Sequence, residues 1–150
     1  MRTFDGLDEL EAVVGQELGV SDWHTVTQQQ IDTFADATGD HQWIHVDAQK
    51  ASDGPFKTTI AHGYLTLSLI PSLVWQIYTV EGLSMGINYG CNKVRFPATV
   101  PVDSRLRACA TLTALNRGAS GAQCVVTVTV ELEGNSKPAC VAETVSVLVP

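Results

Sequence analysis

Between Lys57 and Glu81 the chain carries no charged side chain. A stretch of that length has two physical outlets, a membrane span or a helix wrapped by the rest of the protein. His62, Thr66, Ser68, Pro71, Ser72 and Gln76 interrupt the run and no second hydrophobic segment follows it, which favours the wrapped helix over a membrane partner. Ile60, Tyr64, Leu65, Leu67, Leu69, Ile70, Leu73, Val74 and Ile77 fall on nearly all sides at helical spacing, so a main helix is expected from about Ala61 to Tyr78. Pro71 removes one hydrogen bond inside it and is expected to kink it.

After Glu81 the periodicity changes from helical to alternating. Leu83 to Tyr89 and Asn92 to Phe96 read as two short strands, and three longer runs follow at about Ser104 to Leu115, Ala122 to Glu133 and Ala139 to Val149. In the first long run Leu106, Ala108, Ala110, Leu112 and Ala114 alternate with Arg105, Arg107, Cys109, Thr111 and Thr113. In the second, Val126, Val128, Val130 and Leu132 alternate with Val125, Thr127, Thr129 and Glu131. Such alternation marks half-buried strands, and the short Gly/Asn/Ser connections between them predict antiparallel pairing. One long helix followed by an antiparallel meander gives an α+β fold in which the sheet wraps the helix. At 150 residues and 45% hydrophobic content, a single domain over residues 1–150 is expected.

Upstream, Leu7, Leu10, Val13, Val14 and Leu18 predict an amphipathic helix over residues 7–18, and residues 23–26 leave room for a short strand. Thr27 and Gln30 form a capping-box pattern ahead of Ile31, Phe34, Ala35 and Thr38, and Gly39 supplies a left-handed stop. Asp40 therefore leaves a rigid helix end, and His45, five positions on, can fold back towards it. A carboxyl and an imidazole so placed can hold one water between two proton-transfer groups. On spacing alone, the same residues also suit a turn-forming Asp and a His leading into a helix capped by Asp47. Ala48 to Ser52 reads as one helical turn ended by Gly54-Pro55.

A formal net charge of −7 argues against a nucleic-acid or anionic-membrane binder, since both need a sustained basic surface. Cys91, Cys109, Cys124 and Cys140 form no Cys-x-x-Cys pair and no metal spacing with the four histidines, so reduced thiols and no metal are expected. Asp5 and Asp8 stand where a secretion signal would be apolar, and a cytoplasmic chain is expected.

The run Gly39-Asp40-His41-Gln42-Trp43-Ile44-His45, with Ala51 beyond it and Ala61-His62-Gly63-Tyr64 opening the main helix, resembles the MaoC-like, R-specific enoyl-CoA hydratases of the hot-dog fold. Ile87-Asn88-Tyr89-Gly90-Cys91-Asn92-Lys93-Val94-Arg95-Phe96-Pro97-Ala98 resembles a strand region of their NodN-like branch, and the likeness runs from about Thr25 to Val149. It implies reversible addition of water to a trans-2-enoyl-CoA, giving an (R)-3-hydroxyacyl-CoA, without metal or redox cofactor. Asp40 and His45 match the catalytic pair, one activating the water and the other delivering a proton to carbon, with the roles open between them. Gly63 matches the glycine whose N–H meets the thioester oxygen; without the upstream pair, His62-Gly63 would read as ordinary helix-start packing. A helix N-terminus suits that task through its unpaired N–H groups and dipole.

Where the family commonly has Asn-Pro between the Asp and the His, this chain has Gln42-Trp43. Gln42 still offers hydrogen bonds to the loop, and burial of the Trp43 ring is expected to replace the fixed angle of proline. Tyr64, Ser68, Asn88, Tyr89, Asn92 and Arg95 are candidate substrate-binding residues; Arg95 and Lys93 suit CoA phosphates or, equally, a solvated strand face. His41 reads as a loop-surface residue and His24 carries no functional signal. The resemblance also implies an acyl-CoA thioester as the substrate partner. Single-helix hot-dog subunits leave a sheet edge that a second copy can pair with, so a homodimer is expected. Two other readings share the fold: an acyl-CoA thioesterase, which would favour a carboxylate on the main helix, and a non-catalytic acyl-CoA-binding module, which would be expected to lack one of Asp40, His45 and Gly63.

Overall fold

A computed structural model describes residues 1–150. In chain order the elements are β1 (Arg2–Phe4), α1 (Gly6–Glu11), β2 (Glu17–Val20), β3 (His24–Thr25), α2 (Gln28–Thr38), α3 (Trp43–Val46), α4 (Ala48–Asp53), α5 (Gly63–Val74), β4 (Tyr78–Val80), β5 (Met85–Arg95), β6 (Arg105–Gly118), β7 (Gly121–Leu132) and β8 (Cys140–Val149). The main sheet is antiparallel in the order β2-β6-β7-β8-β5, with β3 also paired to β6. Helix α5 packs on β6, β7 and β8. This is the hot-dog arrangement of a sheet curled around one helix.

The strand alternation explains the core. Leu106, Ala108, Ala110 and Leu112 of β6 and Val128 and Val130 of β7 are fully buried, and they meet Leu65, Ile70 and Leu73 of α5 in one apolar cluster. The period slips once. A bulge between Leu112 and Ala114 turns β6 by one residue, so Leu115, not Ala114, is buried beyond it.

Three expectations need correction. The first helix ends at Glu11 rather than continuing to residue 18; the chain turns, and Leu18 is buried from strand β2 while Val14 is exposed. Both patterns place apolar residues on one side, and a helix of one or two turns is too short for periodicity to separate it from a strand. The main helix stops at Val74, because Tyr78–Val80 instead pairs in parallel with Arg2–Phe4. The two short strands after Glu81 are one eleven-residue strand, β5, whose glycine and polar interruptions are absorbed by register shifts at Asn88/Gly90 and Cys91/Lys93. Pro71 lies inside α5, as the sequence requires.

The cover around α5 is incomplete. Tyr64 and Trp75 are 70% and 71% exposed, and every residue of β5 except Val94 is exposed on a strand that forms one edge of the sheet. No helix is long and apolar enough to cross a membrane.

Candidate active site

The site begins with the end of α2. Thr27 caps its start by accepting the Gln30 N–H at 3.2 Å, which is half of the expected capping box. The other half is replaced: the Gln30 side chain bonds the His24 ring at 2.9 Å because β3 brings that imidazole alongside. At the far end Gly39 adopts φ 80°, a left-handed angle that costs glycine little, and its N–H closes on the Ala35 carbonyl at 2.8 Å. The chain therefore leaves α2 in a defined direction at Asp40. There the Oδ1 atom accepts the Gln42 N–H at 3.3 Å, an Asx turn that starts α3, and the Asp40 side chain remains 54% exposed.

His45, the third residue of α3, is only 6% exposed. Its Nδ1 lies 2.6 Å from the Ile60 carbonyl oxygen, and since a carbonyl only accepts, Nδ1 carries the proton. The Nε2 lone pair is thus free. Burial lowers the pKa of this imidazole below its ordinary 6.5, opposed by the bond to Ile60; His62 lowers it further and Asp40 raises it. The backbone around it is tied on both sides. Ile60 N–H donates to the Ile44 carbonyl at 3.0 Å, and the Gln28 amide donates to the His45 carbonyl at 2.8 Å while accepting the Thr59 hydroxyl at 2.5 Å.

The Trp43 ring shapes this loop through contact rather than through a fixed φ. A methyl group at Gly54 would stand 2.9 Å from it, and the Lys50 ammonium lies 5.0 Å from its centroid. Gln42 contributes its backbone as the residue before α3, and its side chain makes no hydrogen bond.

His62 completes the cluster. The sequence gives it no role of its own beside Gly63, yet it is 3% exposed, its Nε2–H donates to the Asp40 carbonyl at 2.9 Å, and its ring stacks on His45 with centroids 3.8 Å apart. The signal available in the sequence was its position directly before Gly63. Gly63 is the first residue of α5, so its N–H has no partner within the helix. A side chain there would also press within 3.1 Å of the Phe96 ring, so close packing as well as access favours glycine at 63.

One oxygen of Asp40 and one ring nitrogen each of His45 and His62 lie within 4.8 Å of one another. They do not fit a metal ion. A ligated imidazole holds the metal in its own ring plane at about 2.0–2.1 Å, and these two planes, stacked at 24°, do not meet at that range. The arrangement suits proton transfer: a half-exposed carboxylate beside a buried imidazole with one free lone pair.

The remaining candidates make no hydrogen bond to this cluster. Tyr64 is exposed and meets Phe96 edge-on, and Ser68 donates to the Tyr64 carbonyl at 2.7 Å. Asn88, Tyr89, Asn92 and Arg95 are all exposed on β5; Asn92 donates to Glu143 at 2.6 Å and Arg95 to its neighbour's carbonyl at 2.7 Å. No hydrogen bond joins any of these six to Asp40, His45 or Gly63. His41 bonds the exposed Asp36 at 2.8 Å, a surface pair.

Residues 9–135 match the family described as MaoC like domain. The 3-hydroxyacyl-thioester dehydratase Z of Mycobacterium tuberculosis (strain ATCC 25618 / H37Rv) is 56% identical over 146 residues, which is 97% of each chain. Nodulation protein N of Rhizobium leguminosarum bv. viciae is 43% identical over 145 residues, 95% of this chain and 90% of that one. Among solved structures, the (R)-hydratase from A. caviae involved in PHA biosynthesis superposes with a TM-score of 0.72 at 25% identity, over 89% of this chain and 94% of that one. The unliganded R-hydratase from Pseudomonas aeruginosa gives 0.75 at 24%, over 95% and 84%, and shares the fold. The chain belongs to the MaoC-like dehydratase family and is an enzyme of the hydratase/dehydratase type.

Proposed function

We propose that this protein adds water reversibly to trans-2-enoyl-CoA thioesters, giving (R)-3-hydroxyacyl-CoA, with Asp40 and His45 as the acid–base pair and the Gly63 N–H as oxyanion donor. The observation that carries this reading is the tautomer of His45. With Nδ1–H committed to Ile60, Nε2 meets a water as an acceptor, as does the Asp40 carboxylate. A water held by both is oriented and activated at once. Its oxygen bonds C3 as the C2=C3 π bond breaks, the electrons pass to the thioester oxygen beside the α5 N-terminus, and the proton taken by one member of the pair is returned to C2. Oxygen and proton both come from one water, so no co-reactant is needed. The dehydratase named for the 56%-identical relative supports the reaction class.

The whole of residues 1–150 acts as one domain in this proposal, and the working form is a homodimer. Tyr64, Trp75, Met85, Ile87, Tyr89 and Phe96 are exposed apolar or aromatic residues concentrated on α5, β5 and the residues directly after them. An edge strand of eleven residues with such side chains is covered most directly by a second copy of itself. Tyr64, Ser68, Asn88, Tyr89, Asn92 and Arg95 would then lie at the subunit boundary, where an acyl-CoA can reach both. A cytoplasmic setting is supported by four free thiols, one each on β5, β6, β7 and β8.

Loss of ultraviolet absorbance from crotonyl-CoA and longer trans-2-enoyl-CoAs, followed beside a thiol-release assay, tests the reaction. Hydration without thiol release is expected. Thiol release alone would make the protein a thioesterase, and neither signal, with acyl-CoA bound, would make it a binding module.

A further inference from the structure

We infer that His62 is the positioning residue of this site, the side chain that ties Asp40 and His45 into a single unit. It rests on the reading of Asp40 and His45 as the acid–base pair. Two independent side-chain contacts support it. The His62 Nε2–H holds the Asp40 carbonyl at 2.9 Å, which fixes the peptide from which the carboxylate projects, and Oδ2 of that carboxylate stands 4.0 Å away. The His62 ring is the middle member of a column, stacked at 3.8 Å on His45 and packed at 4.9 Å on Phe34, so it sets the plane in which the His45 imidazole can lie. The backbone carbonyl of residue 62 accepts the Leu65 and Thr66 N–H groups at 3.1 and 3.2 Å, so the first turn of α5 is anchored whatever side chain stands there.

The cost of using histidine here points the same way. Its Nδ1 is buried with no hydrogen-bond partner. A buried unsatisfied polar atom is destabilising, and an apolar ring such as phenylalanine would fill the column without that cost. What phenylalanine cannot supply is the N–H to Asp40. Glutamine can supply an N–H, but no ring for His45 to stack on.

That complementarity makes the test. His62→Phe keeps the ring and removes the donor; His62→Gln keeps a donor and removes the ring. Both are assayed for crotonyl-CoA hydration alone and in the His45→Gln background, with folding checked by circular dichroism and with Asp40→Asn and His45→Gln as controls. The expected result for His62→Phe is a loss of about 10²-fold in kcat with KM nearly unchanged, the size of effect that misplacement of a catalytic group produces. His62→Gln should recover part of it. Adding His62→Phe to His45→Gln should lower the rate little further, because the positioned group is already gone.

The pH profile supplies a readout that a purely structural role would not move. Asp40 and His62 are the titratable groups acting on His45, and His62 helps hold its pKa down. Its replacement by phenylalanine should move the acidic limb of kcat/KM to higher pH. Wild-type kcat and an unmoved limb in whichever His62 variants fold, with both controls inactive, would overturn the positioning role and leave the acid–base pair standing. A full additional loss in the His45→Gln background would overturn it too. Active controls would instead remove the pair, and this inference with it.

Discussion

From Gly39 to Val46 the groups that define the site are held by neighbours. Gly39 closes α2, the Asp40 carbonyl is held by His62, His45 by Ile60, and the backbone of α3 by Gln28. Strand β5 is built in the opposite way. It has a full ladder to β8 on one side and nothing on the other, and its polar side chains bond residues of their own sheet or none. The first region keeps its angles within one chain. The second is a surface awaiting cover. The contrast teaches that the two regions suit different tasks: chemistry that tolerates little displacement suits the self-supported one, and on the proposal above the open one is left for a thioester and a second copy to cover.

The sharpest way to break this contrast is to disable the self-supported region. Asp40→Asn and His45→Gln preserve size and hydrogen bonding but not proton transfer, so each should keep the fold and lower the hydration rate by about 10²–10⁴. If both act on one water, as proposed, the double variant should be little worse than either single one. Near-wild-type turnover by a folded single variant would return the pair to a turn-forming role.

Gly63→Ala comes next. Its added methyl meets the Phe96 ring at 3.1 Å and stands beside the N–H proposed to meet the thioester oxygen. A fall in kcat of about 10² is expected, near the lower end for loss of an oxyanion donor. Unchanged kinetics in a folded variant would show that glycine at 63 serves packing alone.

The open region is tested by Ile87→Lys on β5. A charge at a paired strand edge should weaken self-association by at least about tenfold, or ~1.4 kcal/mol, with little change in the fold of the separated chain. Sedimentation over a concentration series reads this directly. A wild-type protein that remains a compact monomer at micromolar concentration would rule out the covering copy.

The smallest effect is in pH. His45 has its pKa lowered on folding, chiefly by burial, so the unfolded chain binds the proton more readily. Its neutral form contributes fully to stability above the unfolded value of about 6.5, and the contribution is lost as pH falls from there through the folded value. The acidic limb of the hydration rate should likewise lie below 6.5, and it should disappear from the residual activity of His45→Gln.

Legibility in the sequence followed the range over which each physical cause acts. The cap at Thr27, the stop at Gly39 and the alternation of β6 and β7 are local, and the residues that form them are adjacent in the chain. The end of α5 was misplaced because Tyr78–Val80 is drawn into a strand by Arg2–Phe4, a partner about seventy residues away that no local pattern reveals. The nearness of Asp40 and His45 was legible by spacing. The contacts of His62 with both were not, since they are a ring stack and a bond that span the loop between Asp40 and α5. The β5 candidates could be placed on a strand but not beside the pair, because they are exposed on an edge strand and make no hydrogen bond to it.

The contact between Trp43 and Gly54 has a consequence for how this loop can change over time. The indole occupies the space that any side chain at 54 would need, with 2.9 Å left to a first carbon. Substitutions at the two positions are therefore ordered. Position 54 is crowded for any larger residue while tryptophan stands at 43; a smaller residue at 43 relieves the closest contact and leaves the Ala51 carbonyl oxygen at 3.3 Å. A lineage that reaches proline at 43 first is then less restricted at 54, whereas one that alters 54 first must pass through a loop whose ring has been displaced. The route between the two loop designs thus has a preferred direction, set by a single van der Waals contact eleven residues long in sequence.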